Sequence, residues 1–236
     1  LQVFDDKKTF HWAGSYSGDM NEAETLVTDL NVLTEKPFVP ESYTDSKFLF
    51  LANMAPETQL EILEQFPNST VFADTMNLWI DIARPQLDAL LSKIDGLVLN
   101  DGEARMLTGE QNLIRAGAAL QEMGPKYVII KKGEHGAFLF TPDERFGLLA
   151  YPVDSVVDPT GAGDSFAGGM MGALAAEGSL TPKSIHRAMA YGTVCASFTV
   201  QDFSVRALEQ VTRSEIDARF AELGDFLSFS PVFSCP

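Results

Sequence analysis

"DSVVDPTGAGDSFAGG", residues 154–169, places Gly161, Ala162 and Gly163 directly before a carboxylate, Asp164, and then runs into an Ala- and Gly-rich segment. A turn needs one glycine. Three small residues opening a helix leave several backbone N–H groups without intrahelical acceptors. Those groups point one way, at the positive end of the helix dipole, and so form a seat for an anion. Small side chains let the anion approach closely. A carboxylate at that seat is electrostatically wrong for anion binding alone. It is explained if Asp164 takes a proton from a hydroxyl that attacks a phosphoryl group, with the amides stabilising the charge on the group in transfer. The plainer reading, in which Asp164 is only a first-turn acid favoured by the dipole, stays open on spacing alone.

Other motifs can be tested against the same letters. A P-loop requires a lysine after its last glycine, and none follows here. A dinucleotide fingerprint requires a third glycine where Phe166 stands. The nucleophile elbow G-x-S-x-G is missed by one residue in "GDSFA", with Ser165 in the nucleophile's place. It would need a histidine well downstream, and the one that follows, His186, stands early in the next helical segment.

Outward from this stretch the chain alternates. "KFLFLAN", "STVFADTMN", "DGLVLN", "KYVIIKKG" and "GAFLFTP" are short apolar runs that read as buried strands. "APETQLEILEQF", with Leu60, Leu63 and Phe66 at helical spacing, "ARPQLDALLSKI", "DGEARMLTG" and "NLIRAGAALQEMG" read as the helices between them. Strands alternating with amphipathic helices predict an α/β fold: a mainly parallel sheet with helices on both faces and ligands at the carboxyl ends of the strands. "NDGE" and "KKG" fall at such ends, and so do Asp74 and Asn77, where a strand-to-helix turn explains them equally well. After Gly163 the chain is mostly helical. Phe166, Met170 and Leu174 share a face, Gly168, Gly169 and Gly172 allow close packing, and Thr181 and Thr212 or Ser214 are expected caps. Upstream, "KTFHWAG" and "ETLVTDLNVL" read as two strands and "EKPFVPESYTD" as a linker. The aromatic tail "FLSFSPVFSCP" has no periodicity that places it.

The composition limits the partners. With 33 acidic against 17 basic residues in 236, the formal net charge is −16, so nucleic acid and anionic membrane surfaces are not expected as partners. No apolar run approaches the roughly 20 residues that span a bilayer. Cys195 and Cys235 supply neither a disulfide framework nor metal-ligand spacing, which fits a reducing, cytoplasmic setting.

"DPTGAGDSFAGG" resembles the C-terminal signature of the ribokinase, or PfkB-type, carbohydrate and nucleoside kinases. "NDGE" resembles that family's Asn-x-x-Glu at Asn100 and Glu103, and "IKKGEHGAFLF" its strand–Gly–x–x–Gly–strand segment near the nucleotide. The resemblance covers most of residues 45–225. It implies a ribokinase-like fold, with lid strands and a linker over residues 1–44 and a nucleotide-binding and catalytic domain over 45–236. It implies ATP-dependent phosphorylation of a sugar or nucleoside hydroxyl, with Asp164 as base and the Gly161, Ala162 and Gly163 amides as anion hole. Asn100, Glu103, Lys131, Gly133 and Gly136 would attend the nucleotide, Glu103 acting on Mg2+ indirectly. Asp158 and Thr160 would hold a monovalent cation such as K+, and Ala190 to Ser197 would lie near the adenine. A homodimer through the lid strands is compatible with the family pattern.

Two alternatives stand beside it. Asn100 and Glu103 also spell a helix capping box. The family's N-terminal strands and its sugar-gripping Gly-Gly motif have no counterpart here. The chain is therefore expected to be a fragment or to lack part of its sheet, and a non-catalytic nucleotide-binding module is the second functional class.

Overall fold

The computed structural model describes residues 2–18, 20 and 23–228. The tail from Phe229 onward, Cys235 included, lies outside them. The described residues up to Gly133, together with Ala137–Gly147, make one compact unit. Glu134–Gly136 and the described residues from Leu148 onward make a second.

The first unit opens with a two-stranded antiparallel sheet, β1 (His11–Tyr16) and β2 (Ala23–Asp29), in which His11 faces Asp29. Trp12 Nε1 donates to Thr25 Oγ1 across the pair at 3.2 Å. The second expected strand stops short of Leu33 because Asn31 adopts φ +47°, a conformation that asparagine tolerates, and a 3-10 turn follows over Asn31–Thr34.

The main sheet has six strands in chain order: β3 (Phe48–Leu51), β4 (Thr70–Asp74), β5 (Gly96–Asn100), β6 (Tyr127–Lys131), β7 (Ala137–Phe140) and β8 (Arg145–Leu148). The first four are parallel, and β7 returns antiparallel to β6. Their connections carry α1 (Pro56–Leu63), α2 (Asn77–Ile82), α3 (Arg84–Leu91), α4 (Asp101–Thr108) and α5 (Leu113–Glu122). One core unites Leu51, Val71, Ala73, Leu97, Leu99, Val128 and Ile130 from alternate strand positions with Ile62, Leu87, Leu91, Leu107 and Leu120 from the helices. Those helices therefore share one face of the sheet. The intervening strand residues Phe72, Val98, Ile129 and Leu139 are fully buried as well, so the sheet is covered on both faces. Residues that must be apolar on both sides make continuous apolar runs, which is why these strands were legible.

The apolar face of α1 differs from the expected one. Pro56, Gln59 and Ile62 are its buried residues, Phe66 beyond its end is buried as expected, and Leu60 and Leu63 pack at the margin. Gln59 is 1% exposed, and its side-chain amide donates to the carbonyls of Leu51 (3.0 Å), Ala52 (3.1 Å) and Asp74 (3.2 Å). It ties together the carboxyl ends of β3 and β4. Gln59→Leu strands these acceptors in the core and is expected to destabilise the protein by about 2 kcal/mol. Urea unfolding of the two proteins reads this as a lower midpoint with an unchanged slope.

In the second unit a long segment leads from Leu148 to α6 (Ala162–Glu177). It is followed by α7 (Pro182–Thr199), α8 (Arg206–Gln210) and α9 (Arg213–Leu227). Thr181 caps α7 and Thr212 caps α9, each through a capping box, so Thr212 and not Ser214 is the cap. Phe166, Met170 and Leu174 are buried as expected. Of the three glycines expected to allow close packing, only Gly169 does: a Cβ there would lie 2.7 Å from Cys195 Sγ, whereas Gly168 and Gly172 face open space. The close approach on α7 is at Gly192, where a Cβ would stand 2.6 Å from the Phe166 carbonyl. Among the described residues no helix is long and apolar enough to cross a membrane.

Candidate active site

Two groups of the expected residues form, one in each unit. In the first unit they gather at the carboxyl ends of the parallel strands. Asp74 ends β4, Asn100 ends β5 and Lys131 ends β6, with Asn100 and Lys131 directly in register. Asn100 is the N-cap of α4. Its Oδ1 accepts from Glu103 N at 2.7 Å, and Glu103 Oε2 accepts from Asn100 N at 2.7 Å. The capping box is therefore present, and it fixes a carboxylate, 8% exposed, between strand end and helix. Lys132 lies over the Phe138 ring, 3.8 Å from its centre. Asn77 begins α2, a helix that the sequence reading missed.

Burial pushes the Glu103 carboxyl above the ordinary carboxylate range; the Asn100 amide and the Lys131 charge pull it down more weakly, and Asp101 adds to the rise. A carboxyl whose folded pKa is raised contributes stability fully below its unfolded value and loses it as pH rises through the folded one. At neutral pH, above the unfolded value, the buried group therefore costs stability. Glu103→Gln keeps the capping box, which accepts glutamine. It is expected to raise Tm by about 2 °C at pH 7–8 and to change nothing below about pH 4. Thermal melts of both proteins across pH check this.

In the second unit, Asp158 Oδ1 accepts from Thr160 N at 2.9 Å, closing a small turn that leads to Gly161. Gly161 has φ +81° and is the N-cap of α6; this left-handed geometry swings the chain into the helix and would strain any other residue. Of the amides expected to form an anion hole, that of Ala162 is engaged with the Pro159 carbonyl at 3.1 Å, and the Ser165 amide donates to Gly161 O at 2.9 Å. Among the described residues, the Gly163 and Asp164 amides have no backbone acceptor. They stand at the amino end of a 16-residue helix. Asp164 is in its first turn and exposed.

Gly133 (φ +53°) opens and Gly136 (φ +84°) follows the short 3-10 turn Gly133–His135. A Cβ on Gly136 would stand 2.0 Å from Leu148 O. Of the segment expected near an adenine, Gly192, Thr193, Val194 and Ser197 are buried, and Tyr191 stacks on Phe220 with ring centres 4.4 Å apart. The sequence reading missed a hydroxyl pair: Thr199 Oγ1 donates to Ser165 Oγ at 2.7 Å, joining the end of α7 to the first turn of α6. Nothing in a sequence separation of 34 residues announces it. Among the described residues no three His, Cys, Asp or Glu side chains cluster as metal ligands would.

Residues 17–211 match the model of the pfkB family of carbohydrate kinases. A cytidine kinase of Thermococcus kodakarensis is 32% identical over 137 residues, which is 56% of this chain and 49% of that protein. The chain spans about half or less of the length of the curated relatives it matches. A ribokinase structure from Thermotoga maritima superposes with a TM-score of 0.71 at 24% identity, over 91% of this chain and 70% of that one. A putative ribokinase II from E. coli in complex with ATP and Mg2+ gives a TM-score of 0.70 at 22% identity, over 92% and 72% of the two chains.

Proposed function

Since the chain belongs to the pfkB family of carbohydrate kinases, we propose that it serves ATP-dependent phosphoryl transfer to a hydroxyl of a small sugar or nucleoside. One observation carries the reading: at the start of α6, the unpaired Gly163 and Asp164 amides and an exposed carboxylate stand on the same helical turn. Amides without acceptors at a helix amino terminus match the charge of a phosphoryl group, and the helix dipole adds to them. Asp164 serves as the base, accepting the proton of the acceptor hydroxyl as it attacks. The amides hold the transferring group, so the protein contributes position and charge stabilisation and forms no covalent bond.

The donor set in the first unit suits magnesium held indirectly. Glu103 is a buried carboxylate, and among the described residues no group of three or more His, Cys, Asp or Glu side chains forms that could hold the ion directly. Magnesium keeps most of its waters and is bound through phosphates and one or two carboxylates, where it offsets charge on the nucleotide. Glu103 and Lys131 would order that water and the phosphates. Asp158 and the Thr160 turn are the residues through which a monovalent cation such as K+ would act on the Gly161 loop. A measurement of ADP formation with Mg-ATP and K+, against pentoses, hexoses and nucleosides, tests the reading and identifies the acceptor. ATP bound with no acceptor turned over would overturn it in favour of a nucleotide-binding module.

A further inference from the structure

We propose that Thr199 is a positioning residue for Asp164, acting through Ser165; the inference rests on the kinase reading above. Asp164 makes no side-chain hydrogen bond or ion pair among the described residues, so its carboxylate takes its place from the backbone of the first turn of α6. That turn is held from the end of α7. Thr199, the last residue of α7, is 1% exposed. Its hydroxyl donates to Ser165 Oγ at 2.7 Å, and it lies 3.3 Å from the Cys195 carbonyl. Its methyl is the nearest atom to any side chain built on Gly161, at 4.0 Å. The next residue, Val200, offers its carbonyl to the amides of Val157 (2.7 Å) and Asp158 (3.4 Å). Two consecutive residues thus hold the loop on its way in, border its N-cap glycine and fix the residue after the base.

The support is itself rigid. Arg219 of α9 donates to Ser197 Oγ (3.0 Å) and Gln201 Oε1 (2.8 Å), and its guanidinium lies 3.5 Å from the centre of the Phe198 ring. Threonine is β-branched, which restricts χ1 and so the positions open to its hydroxyl oxygen. A shift of a fraction of an ångström in a reacting group is costly in rate while substrate binding is spared.

Thr199→Val keeps the shape and removes the hydroxyl. It is expected to lower kcat about tenfold with the KM for ATP unchanged. Thr199→Ser should restore most of the rate, and Thr199→Val combined with Ser165→Ala should be no worse than either alone. Hydrogen exchange supplies a readout that needs no turnover: Thr199→Val should speed exchange of the hydrogen-bonded Ala162 and Ser165 amides and leave α9 unchanged. Unchanged exchange in that turn would overturn the inference, as would additive effects of the two substitutions. A wild-type chain that turns over no acceptor overturns the kinase reading instead, and it is told apart because no variant of Thr199 is involved.

Discussion

Asp164→Asn is expected to lower kcat by about three orders of magnitude and to leave ATP binding in place. The substitution is nearly isosteric. It keeps the amides of Gly163 and Asp164 free for an anion and removes only the ability to take a proton. It also removes a negative charge from a helix amino end, where acids are favoured, so a small loss of stability accompanies it, up to about 1 kcal/mol. A first-turn acid with no further role would show that stability change alone. Turnover measured with the accepted sugar or nucleoside, beside calorimetric titration of ATP without acceptor, separates the two. Collapse of turnover with binding intact identifies the base. Unchanged turnover assigns Asp164 to the dipole and returns the kinase reading to the amides alone.

Much of this was legible in the letters, for physical reasons. Strands covered on both faces have no polar alternation, so "FLFL", "VFAD", "GLVLN" and "YVIIK" stood out as runs, and the strand ends carrying Asp74, Asn100 and Lys131 followed from them. Caps were legible because their signals are local, as at Asn100 with Glu103 three residues on and at Thr181 directly before Pro182. What stayed hidden depends on distant residues. Gln59 looks like a surface residue beside Leu60, and only the fold shows three carbonyls converging on its amide. α2 follows β4 after two residues, too soon for a periodic pattern to emerge, and β8 is half exposed along its four residues. The Ala162 amide was expected to face an anion. A turn from Pro159 captures it, and Gly161, with φ +81° at the third position of that turn, permits it.

Gly136 tests how fold and site share a residue. The family resemblance places it along a nucleotide, yet its geometry already accounts for a glycine there. Its φ of +84° lies in the region that costs other residues about 1–2 kcal/mol. Added to this, a Cβ would stand 2.0 Å from Leu148 O and 2.7 Å from Leu149 Cα, both backbone atoms of a segment that cannot swing aside as a side chain tip would. Gly136→Ala is therefore expected to cost at least about 3 kcal/mol, or roughly 6–12 °C in Tm. Gly133→Ala, at φ +53°, is expected to cost only about 1 kcal/mol, the backbone term by itself. Thermal melts and ATP titrations on the same preparations separate the causes. If Gly136→Ala melts much lower and its surviving folded fraction binds ATP normally, the glycine serves the turn into β7. If it melts like the parent and loses ATP, the close backbone contact yields more readily than its distance implies, and the residue belongs to the nucleotide.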